Sequence, residues 1–554
     1  MAQMSGADAV ASTLARMGVR HVFGIVSVHN LPIYEAVSKC LDMEVVNVRH
    51  EQAAAHAADA YSRVTGQLGV VLTSTGPGAT NAVAGLYEAS FTSSRVLMIT
   101  GQIESRFLGK GKGFLHEHER QADMLRSVCR AVATVRHTEH VSRDLSRVAD
   151  DIRTGRPQPG AVEIPIDLQY RVAEVELHGA PDVERLVPDA GLLDDAASLL
   201  ASAERPLIWA GGGVNGAGAS AELTALAEQL GAPVLTTIEG RGSIPEDHPL
   251  CLGFRTDRTA VYEIVDEADV MLAVGTRFQN YATRVWSLRP PAQLIHLDAD
   301  PAVIGRNYPA ALPIVGDALL GLVGIRDRIA GSSVDEGFVE RARKVRDADN
   351  EAVFDEIGPD HAAIVSVIRN LLPDDAPVVR DSTVPNYAWG NRLLPILAQR
   401  TSVRPAAVAI GPGLPLGIGA ALGSGRPTLV IQGDGGFMLS IGELSSCAQH
   451  GLPVIVCLFN DRGYGVLRGI QDAVFGERHG TELATPDFVA VAEAMGVTGI
   501  GVGSVAEFES AFAGAVRRAE ADEGPTLIDI DLTALHPISL PLPAHQRRSA
   551  DERV

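Results

Sequence analysis

The chain lacks the features that would place it in a membrane or in an oxidising compartment. Its 554 residues contain no apolar run of the roughly 18 residues that a bilayer-spanning helix needs. The five cysteines are dispersed, odd in number and without a C-x-x-C pair, which indicates reduced thiols rather than a disulfide framework. The N-terminus lacks a basic segment followed by an apolar one. We therefore expect a cytoplasmic protein that does not enter a membrane.

Positive charge is also scarce. Lysine and arginine together number 47 against 68 aspartate and glutamate residues, which gives a formal net charge of −21. Nucleic acids and anionic membrane surfaces bind basic faces of proteins, so neither is an expected partner. A small anionic ligand held locally by a metal ion is compatible with this charge.

The chain instead contains three blocks in which short β-rich runs alternate with helical segments, a pattern typical of parallel sheets. A chain of this length is expected to hold about three domains. We predict blocks at 1–172, 189–329 and 359–535. Between them we predict a polar linker over 173–188 and a connecting helix over 330–358. The tail, 536–554, is rich in proline and charge and is predicted to be a lid or a disordered segment.

The most informative motif lies near the C-terminus. Gly433-Asp434-Gly435-Gly436 follows one apolar run, and Asp461, 27 positions after Asp434, follows another. Ligands of parallel sheets collect at the carboxyl ends of the strands, so both carboxylates are predicted to face one site. Such oxygen ligands suit Mg²⁺ or Ca²⁺ bound with a diphosphate, and the glycines allow close backbone approach. An unrelated pair of strand-end loops is the alternative that the motif alone leaves open.

Three more strand ends carry motifs. Glu51 follows an apolar strand and opens an alanine-rich helix; alone, it would be interpreted as a first-turn glutamate favoured by the helix dipole. The segment 74–81 is a strand-to-helix turn whose glycines permit close backbone approach. Residues 211–216 fit G-x-G-x-x-G, which we interpret as a glycine-rich turn without a cofactor, a dinucleotide site being the alternative.

Together these features resemble the thiamine-diphosphate (ThDP)-dependent enzymes of the acetolactate synthase, benzoylformate decarboxylase and benzaldehyde lyase superfamily. The resemblance covers nearly the whole chain. Four motifs carry it, in the order Arg49-His50-Glu51, Gly76 to Asn81, Ile410 to Ala420, and Gly433 to Asp461. It implies an α/β fold of three consecutive doubly wound parallel-sheet domains: pyrimidine-binding (1–172), Rossmann-like central (189–329) and diphosphate-binding (359–535). The family's diphosphate motif ends in two asparagines, whereas Asp461 stands second here, keeping an oxygen ligand and adding a charge.

The resemblance also implies roles for particular residues. Glu51 would hydrogen-bond N1′ of the aminopyrimidine and favour the tautomer whose imino group deprotonates the thiazolium C2. The carbonyl of Val408 would accept from the 4′-amino group, and Ile410 would hold the cofactor bent. Mg²⁺ would be bound by Asp434, Asp461 and the Gly463 carbonyl. The other implied cofactor contacts are Gly76, Asn81, Gly433, Gly435, Gly436, Tyr464, Gly465 and Val466.

Proton transfer to and from the substrate is predicted for side chains in loops that face the cofactor in this family. His29 lies in the loop after the first β-rich run, and His116 occupies the place of a catalytic glutamine in a benzaldehyde-lyase-like pattern. A histidine titrates near neutrality and suits this task. Gln121 is the alternative polar group and His118 a further candidate; an ordinary loop histidine is the other interpretation of each. Val466, Leu467 and Ile470 are predicted to line the acyl pocket, with core packing as the alternative.

Partners and further cofactors follow from the same resemblance. In the family the pyrimidine-binding domain of one subunit faces the diphosphate-binding domain of another, so a homodimer is the minimum and a homotetramer is expected. Acetolactate synthases that bind FAD usually carry Arg-Phe-Asp-Asp where this chain has 277–280 as Arg-Phe-Gln-Asn, so FAD is not expected. A CoA-thioester lyase would need an adenine-diphosphate site, and the sequence shows no basic cluster for one in the middle block.

The predicted function is a ThDP/Mg²⁺-dependent enzyme that breaks or forms a C–C bond beside the carbonyl group of a small substrate: a 2-oxo acid, an aldehyde or an acyloin. The favoured reaction is non-oxidative decarboxylation of a 2-oxo acid, with carboligase activity. A 2-hydroxy ketone lyase, prompted by His29 and His116, and an acetolactate-synthase-like ligase are the alternatives. A silent relative that only binds ThDP is disfavoured, because Glu51, Asp434 and the loop histidines would have no task there.

Overall fold

The computed structural model describes residues 1–179, 184–255 and 258–540. Within them the chain forms three successive α/β units, each built on a six-stranded parallel sheet. The strands are near-continuous runs of buried apolar residues, because helices cover both faces of a parallel sheet. The predicted α/β architecture of three doubly wound parallel-sheet domains is confirmed. The predicted domain limits stay predictions.

The first unit alternates strands and helices throughout. Its sheet strands are β2 (His21–Gly24), β3 (Glu44–Asn47), β4 (Gly69–Thr73), β5 (Val96–Gln102), β6 (Ala131–Thr134) and β7 (Gly160–Pro165). Its helices are α1 (Gly6–Arg16), α2 (Leu31–Ser38), α3 (Glu51–Thr65), α4 (Pro77–Thr92), α5 (Gln121–Arg126), α6 (Val141–Arg153) and α7 (Ile166–Tyr170). The strand order is β3-β2-β4-β5-β7-β6.

A short antiparallel pair ties the ends of this unit together. Strand β1 (Ala2–Ser5) pairs with β8 (Val172–Val175), and the Ser5 side chain caps α1 by accepting from the Asp8 amide. The prediction that the linker begins at residue 173 is therefore wrong for 173–175. Nothing nearby in the sequence signals this pairing, because the partner strand lies at the other end of the unit.

The central unit has the strand order of a dinucleotide-binding sheet. Its strands are β9 (Pro206–Ala210), β10 (Val234–Thr236), β11 (Cys251–Gly253), β12 (Val270–Val274), β13 (Gln293–Asp298) and β14 (Leu312–Val315). Its helices are α8 (Ala190–Ser202), α9 (Gly212–Ala217), α10 (Ser220–Leu230), α11 (Ala260–Glu267) and α12 (Ala318–Arg326). The order β11-β10-β9-β12-β13-β14 is that of a Rossmann sheet.

A long helix, α13 (Glu336–Leu371), leads into the third unit and bends at Gly358, whose φ is +75°, immediately before Pro359. The strands that follow are β15 (Val378–Arg380), β16 (Ser402–Val403), β17 (Thr428–Gly433), β18 (Val454–Asn460), β19 (Thr498–Val502) and β20 (Thr526–Asp531). The helices are α14 (Gly413–Ser424), α15 (Asp434–Phe437), α16 (Glu443–Gln449), α17 (Gly465–Val474), α18 (Phe488–Ala494) and α19 (Val505–Glu520). The order β16-β15-β17-β18-β20-β19 repeats the connectivity of the first sheet.

The first and third units pack against each other through α3 and α14. A Cβ atom on Gly419 of α14 would stand 1.9 Å from the carbonyl oxygen of Ala57 in α3, so glycine is required at this crossing. The alanines of α3 are buried, and one hydrophobic cluster runs through both units. This packing holds the two outer units in one arrangement.

Two predictions concern the edges of the described chain. Of the predicted tail, 536–540 are described and Ile538 packs against the third unit, whereas 541–554 lie outside the described residues. Of the predicted linker, 180–183 likewise lie outside them. Across the part of the chain that the structure describes, no helix combines the length and apolar character needed to cross a bilayer.

Candidate active site

In each of the three sheets, the order of the strands determines where a crevice opens. In an open parallel sheet a crevice opens where neighbouring strands send their following segments to opposite faces. In the first sheet this point lies between β2 and β4, whose following loops carry His29 and Gly76. In the third sheet it lies between β15 and β17, which are followed by Asp381 and Asp434. The sequence motifs therefore gather at the switch points of the two outer sheets.

Glu51 begins α3, and its carboxylate lies against the start of α4. Asn81 Nδ2 donates to Glu51 Oε2 at 2.9 Å. A Cβ atom on Gly78 would stand 3.1 Å from Glu51 Oε1, so glycine leaves the space beside the carboxylate free. Burial raises the pKa of Tyr34 and the nearby charge of Glu51 raises it further. The Glu51 and Gly76–Asn81 motifs thus form one side of a site.

The two predicted loop histidines lie side by side. The ring centroids of His29 and His116 are 5.1 Å apart, and neither Nδ1 has a hydrogen-bond partner among the described residues. Burial lowers the pKa of His29, and His116 lowers it further, so the neutral ring is favoured. Gly76 is needed beside them, because a Cβ atom there would stand 2.5 Å from the His116 carbonyl oxygen. His118, in contrast, is exposed.

Gln121 is buried behind this pair rather than facing it. Its Oε1 accepts from the Gly76 amide at 2.7 Å and from Thr75 Oγ1 at 2.9 Å. Its Nε2 donates to Glu163 Oε1 at 2.8 Å. With both ends of its amide engaged, Gln121 supports the turn at Gly76.

Asp434 and Asp461 lie next to each other in the third unit. The register of β17 and β18 aligns Gly433 with Phe459, and the Asp461 amide donates to Asp434 Oδ1 at 3.3 Å. Burial, followed by the charge of Asp461, raises the pKa of Asp434 to about 6, and burial raises that of Asp461. Arg468 Nη2 lies 2.8 Å from Asp461 Oδ1 and so partly offsets the extra charge.

Glycines around these carboxylates stand where no side chain fits. A Cβ atom on Gly465 would lie 1.7 Å from Asp461 Oδ2, and one on Gly463 would lie 2.2 Å from the Thr481 carbonyl oxygen. A Cβ atom on Gly435 would lie 2.6 Å from the Tyr464 ring, and that on Gly436 would lie 3.2 Å from the Ile410 side chain. The two turns and the Ile410 segment therefore surround one compact space. Gly433 is equally confined, with its Cβ position 2.8 Å from Thr383 Oγ1.

The Val408–Ile410 segment forms the other wall of that space. Val408 has a φ of +66°, a left-handed conformation that is unfavourable for a β-branched residue. Beyond it, the Gly411 and Gly413 amides each donate to Asp381 Oδ2 at 3.0 Å. Val408 and Ile410 are exposed. The helix that follows Tyr464, α17, has no buried residue, so Val466, Leu467 and Ile470 do not pack in the core.

These groups fit Mg²⁺ with a diphosphate. Asp434 Oδ2 is buried and has no hydrogen-bond partner among the described residues. It is available to a cation together with Asp461 and the Gly463 carbonyl. No group of three or more His, Cys, Asp or Glu side chains in the described residues could hold a metal by itself. Mg²⁺ commonly binds one or two carboxylates and takes further oxygen ligands from phosphate and water.

The central unit contains a cavity of about 440 Å³ at its own switch point. Six arginines of the described residues line it, and Arg277 is the one that belongs to the central unit: Arg63, Arg95, Arg156, Arg277, Arg400 and Arg404. The other five come from the outer units, so the expectation about the middle block itself is not contradicted. Burial, then the neighbouring Arg400 and Arg153, lowers the pKa of Arg95 to about 10. Close packing explains a glycine in the 211–216 run, because a Cβ atom on Gly213 would lie 2.6 Å from Gly275 Cα. Sequence inspection missed the cluster because its arginines are far apart in the chain.

Four further polar residues around the site were not anticipated: Glu88, Asp381, Glu443 and Arg468. Glu88 and Glu443 are buried, and each accepts hydrogen bonds from backbone amides of the other outer unit. A glutamate within an apolar helical stretch was the available signal, since charged side chains are seldom fully buried without partners. Which partners they find depends on the packing of α3 against α14.

This fold and site define a class: an α/β enzyme with one carboxylate-bearing crevice in its first unit and a diphosphate-binding crevice in its third. The chain belongs to the thiamine pyrophosphate enzymes. It matches the N-terminal TPP binding domain at residues 4–124, the central domain at 193–325 and the C-terminal TPP binding domain at 385–530. The predicted membership in the ThDP-dependent superfamily is confirmed.

Several named proteins are similar to this chain over most of their length. A probable acetolactate synthase large subunit of Methanocaldococcus jannaschii is 32% identical, covering 89% of this chain and 87% of the relative. A probable 2-ketoarginine decarboxylase of Pseudomonas aeruginosa is 34% identical, covering 89% and 88%. The acetolactate synthase isozyme 3 large subunit of Escherichia coli is 30% identical, covering 96% and 95%.

Proposed function

We propose that this protein is a ThDP/Mg²⁺-dependent enzyme whose main reaction is the non-oxidative decarboxylation of a 2-oxo acid, with carboligase activity. The observation that carries the proposal is the pairing of two sites at equivalent sheet edges. Glu51 lies at the edge of the first sheet, and Asp434 with Asp461 lies at that of the third. Similarity to a probable 2-ketoarginine decarboxylase supports the reaction class.

Bound ThDP would supply a carbanion at its thiazolium C2 that attacks the substrate carbonyl. The chain's own residues hold that cofactor. Glu51 would hydrogen-bond the aminopyrimidine and hold its proton, and the Val408 carbonyl would accept from the amino group. Asp434, Asp461 and the Gly463 carbonyl would bind Mg²⁺, while Gly435, Gly436 and Gly465 admit the diphosphate.

His29 and His116 would handle the protons of the substrate. Their rings are adjacent, and the lowered pKa of His29 keeps it neutral and able to accept a proton. Gln121 would act through Gly76 as a positioning residue, because both ends of its amide are engaged. Leu467, exposed on α17, would line the acyl pocket with Val466 and Ile470.

Two alternative reactions are each supported by a specific observation. The His29–His116 pair favours a lyase of 2-hydroxy ketones, in which a hydroxyl proton must be removed. The similarity to acetolactate synthases favours a ligase that joins two 2-oxo acids. Against the ligase, a recognition tryptophan usual in anabolic acetolactate synthases is absent, with Ile470 near its place.

The active unit would be a homodimer at least, and a homotetramer is expected. Within the described residues the carboxylates of Glu51 and Asp434 make hydrogen bonds only inside their own units. Apolar side chains are exposed beside both: Val26 and Val28 near His29, and Ile410, Leu439 and Leu467 around the diphosphate crevice. A second copy of the chain would cover both faces and bring Glu51 to Asp434.

A product screen with purified protein, ThDP and Mg²⁺ tests the reaction. Pyruvate, branched-chain 2-oxo acids, 2-ketoarginine and benzoylformate are assayed for CO₂ and aldehyde, and benzoin and acetoin for aldehyde. CO₂ with aldehyde supports the decarboxylase. CO₂ with an acetohydroxy acid instead supports the ligase, and aldehyde from an acyloin without CO₂ supports the lyase.

The arginine-lined cavity favours a second, anionic ligand of nucleotide size. Its volume of about 440 Å³ and its excess of arginines over the lining carboxylates Glu239, Asp298 and Asp317 suit a nucleotide diphosphate. An absorbance spectrum of the purified protein tests for FAD, which the 277–280 segment does not favour. Thermal unfolding with and without ADP tests for a colourless nucleotide, with a rise in Tm expected if one binds.

A further inference from the structure

Two buried glutamates connect the outer units, and each holds backbone of the opposite unit beside a residue of the cofactor site. Glu88 lies on α4 of the first unit and is 2% exposed. Its Oε2 accepts from the Ala407 amide at 2.9 Å and its Oε1 from the Ala409 amide at 3.1 Å. One carboxylate therefore spans Val408 from both sides.

This bridge acts on a turn that is otherwise unfavourable. Val408 has a φ of +66°, which a β-branched residue adopts only where its surroundings impose it. The Val408 amide donates to the Pro405 carbonyl at 3.1 Å, and Ser382 Oγ donates to the Ala409 carbonyl at 3.1 Å. Ser382 Oγ also donates to the Val408 carbonyl at 3.3 Å, and the two bonds to Glu88 complete the restraint of the turn that carries this carbonyl.

Glu443 makes the reciprocal contact. It lies on α16 of the third unit and is 2% exposed. Its Oε1 accepts from the Arg49 amide at 2.9 Å and the His50 amide at 3.1 Å, immediately before Glu51. Ser446 Oγ donates to its Oε2 at 2.7 Å. The entry of the chain into α3, and with it the direction of Glu51, is held by the diphosphate-binding unit.

Both carboxylates are costly to bury, since burial raises the pKa of each while the backbone amides oppose that change. General packing of α3 against α14 does not require them, because apolar residues and glycine already make that contact. Their partners are the amides that flank Val408 and precede Glu51. Charge-assisted bonds to backbone amides are shorter and stronger than neutral ones, which suits the restraint of a backbone segment.

We propose that Glu88 and Glu443 are positioning residues of the cofactor site, forming reciprocal clamps. Glu88 of the pyrimidine-binding unit holds the Val408 turn, and Glu443 of the diphosphate-binding unit holds the segment that presents Glu51. The proposal rests on the proposed function in assigning Val408 and Glu51 to ThDP. The clamps themselves are a property of the protein without cofactor.

The test compares Glu88→Gln and Glu443→Ala by hydrogen exchange of the apoprotein. Glu88→Gln keeps one accepting oxygen and turns an amide donor toward the other backbone N–H. At Glu443 both backbone N–H groups donate to Oε1 and the Ser446 hydroxyl can accept from a glutamine, so alanine is used there to remove the acceptor. Glu88→Gln is expected to speed exchange at Ala407 or Ala409 about tenfold or more and to leave Arg49 and His50 unchanged. Glu443→Ala is expected to do the reverse. An unchanged pattern, or equal acceleration at both segments, overturns the proposal.

Titration with ThDP at saturating Mg²⁺ provides the second readout. Both variants are expected to raise the ThDP dissociation constant about tenfold or more, because the holding segments are no longer preorganised. Glu246→Gln is the matched control: Glu246 is a side chain 7% exposed that accepts from the Ile396 amide between the central and third units. It is expected to lower the urea midpoint without changing ThDP affinity.

Affinity losses no larger than in Glu246→Gln at equal stability overturn the positioning role. If a variant fails to fold, Glu88→Asp or Glu443→Asp replaces it, since a side chain shorter by one methylene does not bring its carboxylate to both amides. A wild-type protein that does not bind ThDP overturns the proposed function, and the role in cofactor binding with it. Exchange at 407–409 and 49–50 still reports the clamps, so the two failures are distinguishable.

Discussion

The surroundings of Glu51 support the task that we propose for it. A first-turn glutamate is common, but here Asn81 orients the carboxylate and Gly78 leaves space beside it. Glu51→Gln is expected to lower kcat by about 10² to 10⁴, since the amide cannot hold the proton, while ThDP affinity changes little. Steady-state kinetics and a ThDP titration measure the two effects. Glu35→Gln, an exposed glutamate of α2, is the control, and full turnover in Glu51→Gln would contradict the assigned role.

Asp461 departs from the family's asparagine, and Arg468 pairs with it. Because asparagine keeps the oxygen ligand, Asp461→Asn is expected to raise the Mg²⁺ dissociation constant by less than about tenfold. Asp461→Ala removes the ligand and is expected to raise it about 100-fold. Calorimetric titration of Mg²⁺ in the presence of ThDP measures both. Equal losses in the two variants would show that the charge, not the oxygen, is what the site needs.

At the scale of elements, the crossing of α3 and α14 is the tightest requirement. Gly419→Ala places a methyl group 1.9 Å from the Ala57 carbonyl oxygen unless the helices separate. The free energy of unfolding is expected to fall by about 1–3 kcal/mol, as in other overpacked cores. Urea denaturation measures this loss. Gly216→Ala in α9, where a Cβ atom meets open space, is the control and is expected to be neutral or stabilising. A smaller loss of unfolding free energy in Gly419→Ala than in the control would contradict the close packing proposed for α3 and α14.

Helix α3 also carries a pH-dependent contribution to stability. Burial lowers the pKa of His56 from 6.5 to about 4. The unfolded chain therefore binds a proton at this residue before the folded one does, and stability falls as pH falls from about 6.5 to about 4. The loss is up to about 3 kcal/mol. Urea denaturation of His56→Gln between pH 7 and 4.5 is expected to show a shallower decline. Exposed His479→Gln should match the wild type; identical slopes in all three proteins would refute the assignment.

The helices and strands also show which parts of the fold local sequence patterns predict and which they do not. Runs such as 69–73, 270–274 and 454–459 form the strands that their apolar character predicts, because a strand buried on both faces must be apolar throughout. The pairing of β1 with β8 escaped prediction because it joins segments about a unit apart. The helical spacing of 439–450 forms a helix only from Glu443, where α16 begins, because the preceding residues form turns beside the crevice.

At the scale of the whole molecule, the proposed sharing of sites between copies is directly testable. Glu51→Gln and Asp434→Ala would each be inactive alone. In a mixed dimer one site combines both substitutions, and the other combines an intact Glu51 with an intact Asp434. Random exchange of subunits is therefore expected to restore about a quarter of wild-type activity. Activity of the mixture after dissociation and reassociation measures this. A mixture as inactive as its parts would place both residues of a site in one chain.

The sequence by itself determined the class of fold and the chemistry available. Apolar runs, strand-end glycines and the residues Glu51, Asp434 and Asp461 are local features, and a parallel sheet brings strand ends to one edge whatever the details. Only the tertiary structure decided which distant groups meet: Glu88 with amides 319 and 321 positions away, and six arginines around one cavity. Such contacts need atoms within about 3 Å of each other. That distance is set by how α3 packs on α14 and how the three units join, which no short stretch of sequence encodes.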